Sequence, residues 1–570
     1  MNGPVSEVGS VRLARGRRDE RSTQRNPGPN AGGERCREHS GSRPAAAAVA
    51  LLLLVALGVR VHNLGKHGFW TDELFHAIGA QSMLEIGTPV VPGMMVYERA
   101  YPFTKLVSIS FEYFGVSEVA GRIPSVFFNL LFLVVGYLSV RYLFNPYLAI
   151  LFLTVMALAP LEVIWARECR MYALFQLMYF GATVLFFLGF EPSVANGRYA
   201  GPCMLPRLEK WLDVNVTLLA ASAALFFLAL RIHELAYNAV FPVAIYCATM
   251  TAVVLFGGKG VAVGRSKYFL AGLSILAGGL WLIIRHPDFV AKAVNVIRDR
   301  PFWDTRNVDY TYYVKYLFLD YPLFTLIYPA GAYLIIRKYG RTGIFVVCLF
   351  LPLMVMHSFL FVNNIDERYI FYIFPFFALS SAAAIEWASR RVFARIRGEF
   401  DGGRKRNAAL GGLVMAVLIG VASYPWVGRG AAVGEHAVFE DWKSVQDVLR
   451  EISSDGIIVS TRRMPLYFYM GRNPDYVIIK SFEGLIREQR DHPPAVRPRY
   501  LDVGWLFTKK ELSDVVDSRE RVYFVVDAKS FHNPAFLDDG VRSFVERHGT
   551  PVRHSGDRNL FIYRLQRGAG

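Results

Sequence analysis

Three polar loops interrupt a largely apolar chain, and each carries residue types that can do chemistry. The first begins "GFWTDELFHAIGAQSMLEIG" (68–87), where Asp72 and Glu73 are adjacent at the start of a plausible amphipathic helix. Adjacent carboxylates can supply a general base, because proximity and burial raise one pKa toward neutrality. Acids in a first turn also complement the helix dipole, so helix initiation alone accounts for the same pair. The loop continues as "VYERAYPFTKL" (96–106), with Glu98, Arg99, Pro102 and Lys105 ahead of a long apolar stretch. Basic side chains snorkelling at a membrane boundary are the plainer account there. The second loop, "WARECRMYALFQL" (165–177), holds Arg167, Glu168 and Arg170. An arginine can hold phosphate oxygens through its planar fork of donors, or an Arg–Glu pair can simply close the turn. In the third, "NNIDERYIFYIFP" (363–375), Asp366, Glu367, Arg368 and Tyr369 precede an apolar run, again readable as a helix-terminal charge cluster.

The elements that would position these loops are membrane spans. Of 570 residues, 53% are hydrophobic and only 19% charged, and the mean hydropathy is +0.29. Soluble domains carry about 25% charge, so the composition argues against an ordinary soluble enzyme and against a disordered chain. Eleven apolar segments, centred near 54, 133, 156, 181, 224, 248, 276, 326, 352, 378 and 418, approach the length a spanning helix needs. The net charge of +16 lies largely in an Arg-rich N-terminal stretch and in short loops such as 337–342 and 389–408. That distribution is the positive-inside signal and gives no reason to expect nucleic acid. It predicts a cytosolic N-terminus, an extracytoplasmic C-terminus, and all three polar loops on the outer face. Five cysteines without a CxxC pair imply neither a disulfide framework nor a zinc site.

Three regions follow: a disordered basic cytosolic tail (1–43), a transmembrane region (44–427) and a C-terminal domain (428–570). In the last, amphipathic "EDWKSVQDVLREI" (440–452) alternates with β-branched runs at 456–460, 476–480, 522–527 and 560–565. That alternation predicts a small extracytoplasmic α/β domain, and no Gly-rich phosphate loop marks it as nucleotide-binding.

Three acid and arginine clusters meeting one membrane face suit transfer chemistry on a lipid phosphate, since ionisable groups at that depth are costly and tend to be functional. The loops together resemble the GT-C glycosyltransferases, and within them the family-39-like group of protein O-mannosyltransferases and lipid A aminoarabinose transferases. "WTDELFHA" stands in the place of that family's Asp-Glu motif. "ERAYPFTKL" is similar to its D-x-H-P-P-L-A-K-L pattern, with Glu98, Pro102 and Lys105 on the Asp, second Pro and Lys. "RIPSVFFNLL" (122–131), "ARECRMYAL" (166–174) and "ERYIFYIFP" complete the likeness over roughly residues 46–390. Ala100 and Tyr101 depart from the pattern's His and first Pro, which leaves the acceptor open.

The resemblance implies an α-helical, multi-pass GT-C membrane enzyme, with about eleven transmembrane helices and the C-terminal domain outside. It implies an inverting transferase, taking a sugar from a polyprenyl-phosphate donor to a hydroxyl of a glycan, lipid or protein. Asp72 is then the expected base, with Glu73 and Glu98 orienting the acceptor or sharing that role. Arg170 and Arg368 would neutralise the leaving phosphate, helped by Tyr369 and Lys105. No cofactor is expected; a divalent cation on Asp72 and Glu98 stays open. The alternative is a flippase for lipid-linked sugars, but such transporters often show inverted repeats and none is visible here.

Overall fold

The computed structural model describes residues 42–566 except 93–95, 196–203, 257–265, most of 289–308, 362–364, 397–439, 481–482, 484–502, 535 and 556–558. The expected basic tail therefore lies almost wholly outside the described residues. Among the described residues, fifteen helices form the first region: α1 (Ser42–Val61), α2 (Thr71–Ile86), α3 (Tyr101–Phe114), α4 (Glu118–Leu143), α5 (Pro146–Leu158), α6 (Pro160–Ala166), α7 (Tyr172–Phe190), α8 (Pro206–Leu212), α9 (Val216–Ile232), α10 (Val240–Phe256), α11 (Lys267–Arg285), α12 (Tyr312–Asp320), α13 (Pro322–Tyr339), α14 (Arg341–Phe359) and α15 (Phe374–Ile396). Helices stand at ten of the eleven expected centres; the eleventh, near 418, lies outside the described residues.

Among the described helices, five are individually long and apolar enough to cross a membrane, or up to eight if each sharply bent pair is one span. The bends are 58° between α5 and α6, 89° between α8 and α9 and 109° between α12 and α13. Proline explains the first. Pro160 has no N–H to give the Met156 carbonyl, and the Leu161 N–H turns to the Tyr321 hydroxyl at 2.9 Å. The freed carbonyls of Met156 and Ala157 are taken by the buried Arg60 guanidinium at 3.2 and 2.8 Å. Arg60 also donates to Asn129 at 2.6 Å, and Asn129 to Glu162 at 2.9 Å, so the break is closed by a connected polar network inside the bundle. Such a network is what a low-dielectric interior demands of unpaired backbone groups. The bend delivers the turn carrying Glu168 and Arg170 to the start of α2.

The C-terminal residues build a six-stranded sheet: β1 (Ile457–Ser460), β2 (Tyr476–Ile478), β3 (Gly504–Leu506), β4 (Val522–Asp527), β5 (Gly549–His554) and β6 (Leu560–Leu565), in the order β3-β2-β1-β4-β6-β5. Strands β1 to β4 are parallel and β5 and β6 antiparallel. Helices α16 (Gln446–Asp455), α17 (Met464–Met470), α18 (Lys509–Ser518), α19 (Ala528–His532) and α20 (Asp539–His548) flank it. Strand β4 is buried throughout: Val522, Phe524 and Val526 join one apolar cluster and Tyr523 and Val525 another. That is the near-continuous apolar run of a strand covered on both faces. The four anticipated strands are present; β3 and β5 are additional.

This domain grips the chain just before α2. The Phe69 N–H donates to the Tyr469 hydroxyl at 2.5 Å, and Phe69 meets Phe468 edge-on at 5.5 Å. Lys443 donates to the Gly65 carbonyl at 2.8 Å and pairs with Glu118 of α4 at 3.0 Å. Gly68 makes the approach feasible, since a Cβ there would lie 2.8 Å from the Tyr469 hydroxyl and 3.0 Å from the Lys443 nitrogen.

Candidate active site

Asp72, Arg170 and Arg368 come from α2, from the turn between α6 and α7, and from the 3-10 turn Glu367–Tyr369, and they meet at one carboxylate. Asp72 Oδ2 pairs with Arg368 Nη1 at 3.0 Å and with Arg170 Nη2 at 3.5 Å. Arg170 Nη1 also donates to the Asp72 carbonyl at 2.6 Å, which locks the turn onto the first turn of α2. The Arg170 side chain is only 2% exposed, while Asp72 keeps a third of its side-chain surface open. Aromatic faces flank both cations: Trp70 and Tyr172 lie 5.8 and 5.7 Å from the Arg170 guanidinium, and Tyr369 lies 5.2 Å from that of Arg368. Arg368 is further fixed by Asp366, whose Oδ2 lies 3.3 Å from its Nε.

The electrostatics run against the simplest idea of a carboxyl poised near neutrality. Burial alone would raise Asp72, but Arg170 and then Arg368 outweigh it and hold the carboxyl below its ordinary value. It is therefore firmly ionised. Arg99 acts on Asp72 in the same sense, so the 96–106 loop contributes to this field through Arg99. Glu98 and Lys105 are exposed, and among the described residues neither forms an ion pair with the cluster.

Glu73, next to Asp72, is turned elsewhere. It is fully buried and accepts Arg122 Nε at 2.9 Å and Nη2 at 2.7 Å, the Cys169 N–H at 2.6 Å and the Trp70 N–H at 3.2 Å. Arg122 spends its remaining donors on the carbonyls of Leu64, His67 and Gly68. Glu168 joins from behind. Its Oε2 accepts Trp70 Nε1 at 2.6 Å, while burial and the neighbouring Glu73 carboxylate push its carboxyl up to about 8. So Arg167 and Glu168 do not close their turn as a pair: Arg167 donates to the Val59 carbonyl instead.

Several groups beside the cluster gave no sequence signal. His76, one helical turn after Asp72, hydrogen bonds Thr104 at 2.9 Å and packs edge-on against Tyr97 and Phe103. Buried polar atoms with no hydrogen-bond partner among the described residues include Arg170 Nε, Tyr172 Oη, His76 Nε2 and His233 Nε2. Buried polar atoms are normally satisfied, so these unpartnered atoms beside the arginines make their surroundings a candidate ligand site. Among the described residues no group of three His, Cys, Asp or Glu side chains is placed to hold a metal ion.

The fold is of the GT-C type. It is shared with ArnT from Cupriavidus metallidurans in the apo state, at 15% identity and a TM-score of 0.58, over 91% of this chain and 98% of that one. The same enzyme bound to undecaprenyl phosphate matches at 13% identity and a TM-score of 0.57, over 90% and 97%. The Archaeoglobus fulgidus oligosaccharyltransferase tethered to an acceptor peptide matches at 12% identity and a TM-score of 0.53, over 91% of this chain and 74% of that one. No family model and no curated protein sequence matches the chain.

Proposed function

We propose that this chain is an integral-membrane inverting glycosyltransferase. It moves a sugar from a polyprenyl-phosphate donor to a hydroxyl of a glycan, lipid or protein acceptor, at the extracytoplasmic face where the α/β domain sits. The observation that carries the reading is the single carboxylate of Asp72 held between two buried-side arginines, at the junction of bundle and α/β domain. A structural neighbour solved with undecaprenyl phosphate bound supports the donor class.

In this mechanism Arg170 and Arg368 hold the donor phosphate. The acceptor oxygen attacks the anomeric carbon from the opposite side, its proton passes to Asp72, and the bond from carbon to phosphate oxygen breaks. The polyprenyl phosphate departs with the electron pair and its new charge is met by the two guanidinium groups, a preorganised arrangement that favours the transition state. The donor phosphate competes with Asp72 for the arginines, so its arrival frees the carboxylate and makes it a better base. Glu73 acts at a distance, fixing α2 through Arg122. Glu98, exposed on the 96–106 loop, is the residue this reading assigns to orienting the acceptor; Tyr369, beside the Arg368 guanidinium, is assigned secondary support of the phosphate, with Lys105 a lesser candidate. Charge compensation by arginine gives a metal ion no necessary step, so turnover should survive a chelator.

The test is sugar transfer in membranes given undecaprenyl-phosphate hexoses and pentoses. Asp72→Asn should lower turnover about 10²–10⁴-fold. Arg170→Ala and Arg368→Ala should weaken both donor binding and turnover. Full activity in folded Asp72→Asn, Glu73→Gln and Glu98→Gln proteins would end this reading, and transport that tolerates Asp72→Asn would favour a flippase.

A further inference from the structure

Two buried groups next to the arginines are unused by that mechanism. Tyr172 opens α7 two residues after Arg170, is 1% exposed, and its hydroxyl has no hydrogen-bond partner among the described residues. His233 ends α9, and its Nδ1 accepts the Leu235 N–H at 3.0 Å, capping the 3-10 turn Glu234–Ala239. That bond sets the tautomer: Nδ1 is the acceptor, so the proton of the neutral ring is on Nε2. Nε2 is buried and, among the described residues, also lacks a partner. The two rings lie 5.4 Å apart, and Phe175 packs on the same imidazole at 5.4 Å, so His233 is held in place from two sides.

The surrounding charge says what this pair can bind. Burial, then Arg99, Arg170 and Arg368, hold His233 well below its ordinary pKa, so the ring offers a neutral N–H rather than a cation. Tyr172 adjoins the same cations, with its ring against Arg170. The donor phosphodiester carries one negative charge and the departing phosphate a second, and the arginines already meet both. Uncharged oxygens need neutral donors and acceptors at fixed positions, and these two groups supply them.

We propose that Tyr172 Oη and His233 Nε2 are specificity-determining contacts that hydrogen bond hydroxyl oxygens of the sugar carried by the lipid donor. The proposal rests on the transferase reading above and adds to it the part of the site that reads the sugar. A site built to hydrogen bond a substrate hydroxyl discriminates strongly against an analogue lacking it, because the buried partners are then stranded.

The test uses the full chain with the undecaprenyl-phosphate sugar most active in the transfer assay, and with undecaprenyl phosphate bearing no sugar. Tyr172→Phe removes only the hydroxyl. His233→Asn keeps a side-chain oxygen for the Leu235 N–H, since Asn is a favoured N-cap, and withdraws the Nε2 donor. Each variant should lower kcat/KM about tenfold or more. Each should leave the affinity for undecaprenyl phosphate and the thermal midpoint unchanged, and should narrow the preference for the parent sugar over its deoxy analogues. Unchanged kcat/KM in both variants overturns the proposal, as does an equal loss of affinity for the sugar-free lipid, which would assign the pair to the phosphate. Failure of the transferase reading looks different: no sugar lipid is turned over, or Arg170→Ala and Arg368→Ala bind undecaprenyl phosphate normally.

Discussion

Asp72 shares its Oδ2 with two guanidinium groups, so in the free protein it is a weak base and a firmly held anion. A donor phosphate has to displace it. Removing the carboxylate charge should therefore tighten binding of undecaprenyl phosphate to Asp72→Asn even as turnover collapses, measurable by titration of the purified protein with the sugar-free lipid. Weakened lipid binding in that variant would show that Asp72 orders the arginines rather than competing for them. Arg170→Lys and Arg368→Lys should recover only part of the activity lost in the alanine variants, because a point charge cannot reproduce a two-pronged contact. The meeting of Asp72, Arg170 and Arg368 was legible in the sequence because three acid and arginine loops, each explicable alone, were all expected at one membrane face. The split between Asp72 and Glu73 was not: adjacent residues on a helix point about 100° apart, and Glu73's partner Arg122 is 49 positions away. Tyr172 and His233 gave no signal because one aromatic and one lone histidine in an apolar stretch look like packing.

At the level of elements, the Glu73–Arg122 pair joins α2 to α4 and draws in the carbonyls of 64–68. Severing a buried pair strands a charge, at a cost of about 3–5 kcal/mol. Arg122→Ala should accordingly lower the thermal midpoint in detergent, and Glu73→Gln should lower it as well. If Glu73→Gln instead keeps the midpoint and loses turnover, Glu73 belongs to the chemistry. The segment that opens the α/β domain carries a second sensitive acid. Burial and then Asp527 push Glu440 up to about 7, with Arg462 opposing them. A carboxyl raised on folding stabilises fully below its unfolded value, near 4.5, and that contribution is lost as the pH rises through about 7. Relative to Glu440→Gln, the native protein should lose thermal stability across that interval; a constant difference from pH 4 to pH 8 would refute it. Helix placement was readable from apolar runs, and the strands rich in Val and Ile were readable too. The fifth strand, "GTPVRH", and the third, "GWL", were not, since one is largely exposed and polar and the other only three residues long. The bends were missed because hydropathy averages over a short break, which at α5–α6 is made by Pro160.

For the whole molecule, the question is how a domain outside the bundle bears on a site at its edge. Tyr469, Phe468 and Lys443 hold residues 65–69, and α2 begins two residues later with Asp72 in its first turn. Gly68→Ala would push its methyl onto the Tyr469 hydroxyl and the Lys443 backbone. It should loosen this contact, raise hydrogen exchange in 65–75 and cut turnover, leaving β1 and β4 protected. The reading of topology is tested separately: a tag at the C-terminus should be extracytoplasmic and one within 389–408 cytosolic.

That grip also sets a time. A ribosome makes Asp72, Arg170 and Arg368 well before it reaches Lys443 and Tyr469, and the nascent bundle enters the membrane while the clamp on the approach to α2 is still unmade. On the transferase reading, such a half-born chain already meets the lipid donor. At that stage α2 is held by Arg170, Arg368 and the Glu73–Arg122 pair, while residues 65–69 lack their partners from the C-terminal domain. Because Lys443 and Tyr469 emerge last, the hold on residues 65–69 is the last of these contacts to form.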